Sequence, residues 1–254
     1  MSNSEISKKA KIGNNLTIKS FSIIEDDVEI GDNVEIASNV LIANGARIAS
    51  NVKIHHGAAV STNPQDLKFG GEVTTLEIGE GTVIREFTTL NRATNHSKRT
   101  VIGKNCFIMA YAHVAHDCRI GDNVIIANSV QMGGHVSIDD FAVLGGGVVI
   151  HQFSKIGERV MIGGGFRVVK DVPHYILAGG YPMKYEGLNV IGLKRKGFSD
   201  EQIGTIKKAY NEIYRSGLNF GDAVKSIRNT FEMTPEITKI VEFIETSERG
   251  ILRG

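Results

Sequence analysis

A mainly β architecture, a parallel β-helix of hexapeptide repeats followed by a C-terminal α-helical domain, is the fold this sequence predicts. Three observations predict it: branched aliphatic residues recur every sixth position, two short breaks interrupt that spacing, and the periodicity turns helical near the C-terminus.

The aliphatic positions run Ile12, Ile18, Ile24, Ile30, Ile36, Ile42, Ile48, Ile54 and Val60, and resume at Ile78, Ile84 and Leu90. They return as Ile102, Ile108, Val114, Ile120, Ile126, Met132, Ile138, Leu144, Ile150, Ile156, Ile162 and Val168. A small or branched side chain stands two residues before most of them, as at Val28, Val34, Ala112, Val130 and Ala142. Such a spacing matches neither the helical period of 3.6 nor the alternation of an ordinary hairpin. It is the repeat of a β-helix. Each hexapeptide supplies a short strand and a corner, and three close a triangular coil of about eighteen residues. Residues one coil apart therefore stack about 4.8 Å from each other along the axis.

Along the chain, Ile12 to Val60 form regular coils whose outward Asp, Glu, Asn and Lys read as a wetted face. His55 and His56 read as coil surface or subunit contact, with substrate lining as the alternative. The breaks near 61–77 (STNPQDLKFGGEVTTLE) and 91–101 (NRATNHSKRT at its start) are loops leaving the solenoid, where function tends to sit. Asp66 and Lys68 of the first can reach a ligand beside the coil. Arg92, Lys98 and Arg99 of the second are solvated or meet an acidic partner. Residues 1–188 form the β-helix domain and 189–254 the helical one. There Ser199 and Gln202 make a capping box that opens a helix to about Arg215, stopped at Gly217. A second helix runs from Asp222 to about Phe231, and Thr234-Pro235-Glu236 opens a third that ends before Gly250. Helices this short must pack on something to persist.

A net charge of +1 exerts no global pull toward nucleic acid or membrane. The N-terminus is polar and no stretch has the apolar length of a membrane span, so a cytoplasmic protein is expected. Cys106 and Cys118 occupy inward repeat positions on different walls of the coil, as small core residues rather than a disulfide or metal pair.

The chemistry concentrates between Ala110 and Phe153, which holds four of the eight histidines. His116, Gly134 and Gln152 fall in one column, Asp117, His135 and Phe153 in the next, with His113 and His151 beside them. None takes an inward position, so all are expected to point outward around one corner. Three readings follow: surface histidines, a zinc site between subunits, or general-base acyl transfer. Acyl transfer has a use for every part. An imidazole removes the proton, an adjacent carboxylate fixes its tautomer, and a peptide N–H meets the oxyanion. His116, Asp117 and Gly134 supply these in turn.

The segments HVAHDCRIGDN, GGHVSIDDF, HQF, NPQDLKFGGE and GLNVIGLKRKGFS together resemble the UDP-N-acetylglucosamine acyltransferases of the first step of lipid A synthesis, in order and over essentially the whole chain. The resemblance implies a left-handed helix, against the usual right-handed crossover, and a homotrimer with sites between subunits. It implies transfer of a 3-hydroxyacyl chain from acyl carrier protein to the 3-OH of UDP-N-acetylglucosamine, with no cofactor and no metal. His116 would be the base, Asp117 its partner and Gly134 the oxyanion donor. His113, His135, His151 and Gln152 would line the sugar and diphosphate, and Asp66 and Lys68 would hold the sugar. Asn189 and Arg195, with Lys196 beside it, would hold the nucleotide end. Met161 and Gly164 would measure the acyl chain, Gly164 leaving room for a long one, while Lys207, Lys208 and Arg215 would face the acidic carrier. Three positions depart from the family pattern: Ile191 stands where a Glu is common, Lys196 replaces an Arg and loses its bidentate fork, and Asn91 replaces a His. Two alternatives share the scaffold: an N-acyltransferase using a 3-amino acceptor, and a non-catalytic nucleotide-sugar-binding protein.

Overall fold

The computed structural model describes residues 3–254. The hexapeptides form the expected left-handed β-helix, three sheets of nine, eight and ten short strands wound around one core. Pairing is parallel throughout except at the end, where Ile176–Gly179 and Lys184–Leu188 form an antiparallel pair. The hexad residues from Ile24 to Val168 are buried, whereas Ile12 and Ile18, at sheet edges, are only partly covered. Each fully buried aliphatic side chain stabilises the fold by roughly 1.5–3 kcal/mol. Cys106 and Cys118 lie in this core as expected. Burial pushes their thiols up to about 11 and about 12, so both are neutral and unreactive at physiological pH.

Corners turn through left-handed residues. On the edge joining the eight- and ten-stranded faces five of these are asparagines, Asn15, Asn33, Asn51, Asn105 and Asn123, a residue whose short amide tolerates that conformation. Both excursions are shorter than the repeat pattern implies, because strand pairing continues into them. Ala59–Thr62 resumes as Thr75–Ile78, and Thr89–Asn91 resumes as Arg99–Ile102. Stacking survives the insertions, with Val60 beside Leu90 and Ile78 beside Ile102.

Four helices follow: α1 (Val190–Arg195), α2 (Asp200–Arg215), α3 (Phe220–Thr230) and α4 (Pro235–Glu245). The Ser199–Gln202 capping box is complete, and Thr234 caps α4 ahead of Pro235. α3 begins earlier than expected because Asn219 caps it, accepting from the Asp222 N–H. Ile203, Ile206, Tyr210, Ile227, Ile237 and Ile240 join the same hydrophobic core as the coils.

His174 sits at this junction. It is 7% exposed, its Nδ1 accepts the Glu158 N–H at 2.7 Å, its carbonyl accepts the Tyr210 hydroxyl at 2.7 Å, and Phe243 packs edge-on. Burial, aided by the nearby Lys239 charge, pulls its pKa from the ordinary 6.5 to about 3. Between those values the unfolded chain binds a proton that the native chain refuses, so stability is full above the ordinary value and falls as pH drops below it. Thermal melts across pH 7 to 4 should therefore show a falling Tm, and His174→Asn should flatten that slope. An equal slope in the variant would place the acid sensitivity elsewhere.

Candidate active site

The nine-stranded face meets the eight-stranded face along one edge of the prism, and every excursion leaves there. Residues 63–74 and 92–98 emerge from it in successive coils, followed by the turns containing His116, His135 and His151. The other two edges run uninterrupted among the described residues. Coil register is set by backbone bonds across the turns: His135 N–H donates to His116 O, and Phe153 N–H to Gly134 O, both at 3.1 Å. Asp117, His135 and Phe153 each adopt φ near +60°, at a cost of order 1–3 kcal/mol apiece. Such strain persists because the ladders on either side over-determine the backbone.

His116 Nδ1 lies 2.7 Å from Asp117 Oδ2. Burial pushes the Asp117 carboxyl up, but hydrogen bonds from Ser97, His116 and Thr94 outweigh it and hold the group at about 2. An ionised carboxylate only accepts, so Nδ1 carries a proton, and in the neutral imidazole the lone pair sits on Nε2. The His116 ring rests on Gly134: a Cβ there would lie 2.6 Å from Cε1 and 2.8 Å from Nε2. Glycine is thus required for the ring to occupy this position. Among the described residues, no backbone carbonyl accepts the Gly134 N–H.

Asp117 points away from the core but is not a surface group, since its side chain is 0% exposed. The 92–98 excursion folds over it, a cover that no periodicity announces. His96 was missed for the same reason; its ring lies 4.6 Å from that of His135, edge to face. His135 also packs edge-on against His116 and stacks on Phe153 at 4.3 Å. Burial pulls His135 below the usual imidazole range; Asp117 and Asp66 oppose this, and His96 and His116 reinforce it. The His116, Asp117 and His135 ligand atoms lie within 4.8 Å of one another. Yet both Asp117 oxygens are already turned toward protein N–H and O–H donors, an arrangement built to orient an imidazole rather than to hold a cation.

His113, on the adjoining strand, is lowered by burial and sits 2.7 Å from the Thr89 hydroxyl. His151 bonds the Gln152 carbonyl at 3.0 Å and Gln152 is exposed. Asp66 accepts the Lys68 N–H at 2.9 Å, closing a turn that leaves Leu67 and Lys68 exposed. The remaining candidates lie on other parts of the prism. Met161 continues an outward apolar column of Phe107, Ile125 and Val143 on the ten-stranded face. A Cβ on the exposed Gly164 would come within 3.0 Å of Gly146 O. Asn189 caps α1 by accepting from Gly192 N–H and also donates to Arg159 O at 2.9 Å, so both ends of its amide are engaged. Arg195 is exposed, Ile191 is 68% exposed, and Lys196 Nζ stands 4.6 Å from the Phe141 ring centre. Lys207, Lys208 and Arg215 are exposed on α2.

Family models agree with this architecture. Residues 9–44 and 99–134 match the bacterial transferase hexapeptide, and 171–252 match domain 2 of UDP-N-acetylglucosamine O-acyltransferase. The acyl-(acyl-carrier-protein)–UDP-N-acetylglucosamine O-acyltransferase of Thermodesulfovibrio yellowstonii is 44% identical over 249 residues, covering 98% of this chain and 96% of the relative. The chain belongs to the UDP-N-acetylglucosamine O-acyltransferase family. The Chlorobaculum parvum member is 53% identical over 207 residues, 81% of this chain and 78% of its own length. The crystal structure of the acyltransferase from Bacteroides fragilis superposes with a TM-score of 0.97 at 46% identity, over 100% of this chain and 99% of the other. No helix of this acyltransferase is long and apolar enough to cross a membrane among the described residues.

In this acyltransferase, Gly134→Ala should push the His116 ring aside without disturbing the coil, because Gly134 needs no left-handed backbone. A displacement of this kind costs turnover about 10²-fold. Steady-state kinetics beside a thermal melt would test it; near-normal kcat would mean the ring position is not what the reaction uses.

Proposed function

We propose that the chain transfers a 3-hydroxyacyl group from acyl carrier protein to the 3-OH of UDP-N-acetylglucosamine, the first step of lipid A biosynthesis, with His116 as general base. The observation that carries the mechanism is the 2.7 Å His116–Asp117 contact, which in the neutral imidazole turns the lone pair of Nε2 toward the Gly134 peptide. Nε2 takes the proton of the sugar hydroxyl as its oxygen attacks the thioester carbonyl. The Gly134 N–H meets the resulting oxyanion. Collapse expels the carrier's thiolate, and the imidazolium returns the proton to it. Asp117 stays ionised throughout, and orients and stabilises the imidazolium.

His113, His135, His151 and Gln152 flank this edge as sugar and diphosphate contacts, with Asp66 and Lys68 reaching in from the first excursion. Met161, by contrast, lies on the ten-stranded face, across the prism from His116. Packing of three copies around a threefold axis, with the histidine edge of one copy facing the ten-stranded face of its neighbour, would unite the base with the acyl ruler and with Asn189, Arg195 and Lys196. This supports a homotrimer. The exposed Lys207, Lys208 and Arg215 suit an acidic carrier.

His116→Ala should lose turnover by about 10²–10⁴-fold while keeping fold and assembly, since the side chain is outside the core. Retained activity would remove His116 as base. Running the assay with UDP-N-acetylglucosamine and its 3-amino analogue, with product masses read, separates the O-acyl reading from the N-acyl one. UDP-sugar binding without turnover in the native protein would leave a scaffold.

The reading of acyl length rests on Gly164, which has no side chain to close a groove, and on the apolar column that includes Met161. A ladder of acyl carrier protein thioesters should give a maximum at long 3-hydroxyacyl chains. Gly164→Met should move it to shorter ones. A maximum at the shortest chains in the native protein would reject this ruler.

A further inference from the structure

We propose that Thr94 and Ser97, in the second excursion, are positioning residues that fix the orientation and charge of Asp117 and through it tune His116; the proposal rests on His116 being the base. Their donors grip the carboxylate from two sides. Ser97 Oγ and Ser97 N–H donate to Oδ1 at 2.5 and 3.1 Å, while the Thr94 hydroxyl donates to Oδ2 at 2.8 Å. The Thr94 N–H is shared between both oxygens at 3.3 Å. Oδ2 also takes the His116 proton, so the plane of the carboxylate, and with it the plane of the imidazole, is set by this short loop.

The loop is held to do this. Ala93 is fully buried, with its carbonyl taken by the Thr74 hydroxyl at 2.6 Å, and Lys98 N–H closes onto Thr94 O at 3.0 Å. Beneath it, Thr100 Oγ1 accepts the Asp117 N–H at 2.9 Å and pins the left-handed backbone. The Ser97 hydroxyl lies within reach of both Arg99 O and Asp117. It has a single proton, and the charged acceptor makes the stronger bond. Each donor withdraws negative charge from the carboxylate, so the loop sets how strongly Asp117 favours the protonated imidazole. Asp117 is wholly covered, and the two hydroxyls reach His116 through its carboxylate.

The test compares Thr94→Ala, Ser97→Ala, the double variant and the conservative Thr94→Ser and Ser97→Thr. Each is read by kcat, by KM for both substrates and by the pH profile of kcat/KM. His116→Ala and Asp117→Ala are run beside them. Each single alanine should lower kcat roughly tenfold or more, the size of one hydrogen bond to a charged group, and the double variant should lose more. Neither KM should move. The acidic limb should shift to higher pH, because a carboxylate with fewer donors presents more charge to the imidazolium. The conservative variants should restore both kcat and limb, which a loop that merely aids folding would not require. A native pH profile in the alanine variants, with His116→Ala and Asp117→Ala inactive, overturns the positioning role and leaves the base standing. A rise in KM at native kcat overturns it too, since the hydroxyls would then touch substrate. Activity in His116→Ala overturns the base and the proposal together.

Discussion

Everything at the reactive edge depends on the backbone ladder between coils. Bonds such as His135 N–H to His116 O and Phe153 N–H to Gly134 O fix which residue lies above which before any side chain is considered. The aliphatic hexads make that ladder stable by filling the interior, but they do not select the register of the turns; the peptide groups do. Removing or adding one residue in a coil would turn every later side chain of that coil to a different direction. Stacked chemistry of this kind therefore tolerates insertion only as a whole loop that leaves and rejoins the column. Both excursions behave so: Val60 still meets Leu90, with one irregularity between Val60 and Thr62 where the first loop leaves, and Ile78 meets Ile102.

The two central imidazoles receive opposite treatment from nearly the same surroundings. His116 is joined to Asp117 by a direct hydrogen bond, whereas the His135 Nε2 stands 3.9 Å from that carboxylate. Burial keeps His135 toward its neutral form, which can both donate and accept toward a polar substrate. An anion as covered as Asp117 would be costly to bury without partners. Hydroxyl and amide donors from Thr94 and Ser97 offset that cost without adding another charge to the site. The division of roles thus follows from one buried anion and unequal distances to it.

Much of this was legible in the sequence, and the boundary of legibility has a physical cause. Periodicity gave the coils, the inward cysteines and the column that joins His116 to Gly134, because a residue in a regular repeat inherits its place from its number. Helix caps were legible where side chain and backbone cooperate locally, as at Ser199 and Thr234. Asn219 was overlooked in favour of Asp222, a neighbouring residue that also suits a helix start. Excursions carry no register, so neither the cover over Asp117 nor the approach of His96 to His135 could be read. Asn189 matched a nucleotide-binding motif, and only the fold revealed its amide engaged with Gly192 and Arg159.

A solenoid presents its outward positions to water, and this limits what a bare coil can catalyse. An aspartate on such a face would be hydrated and free to rotate, and would orient a neighbouring imidazole weakly. Lengthening the coil does not help, because each new turn exposes new outward positions of the same kind. Burial of an outward group needs chain that leaves the repeat and folds back over the edge. That requirement explains why both interruptions fall on the one edge that carries the histidine turns, while the other two edges stay regular among the described residues. The repeats set the positions of the reactive groups, and the departures from repetition supply the dry, donor-rich surroundings in which those groups can react.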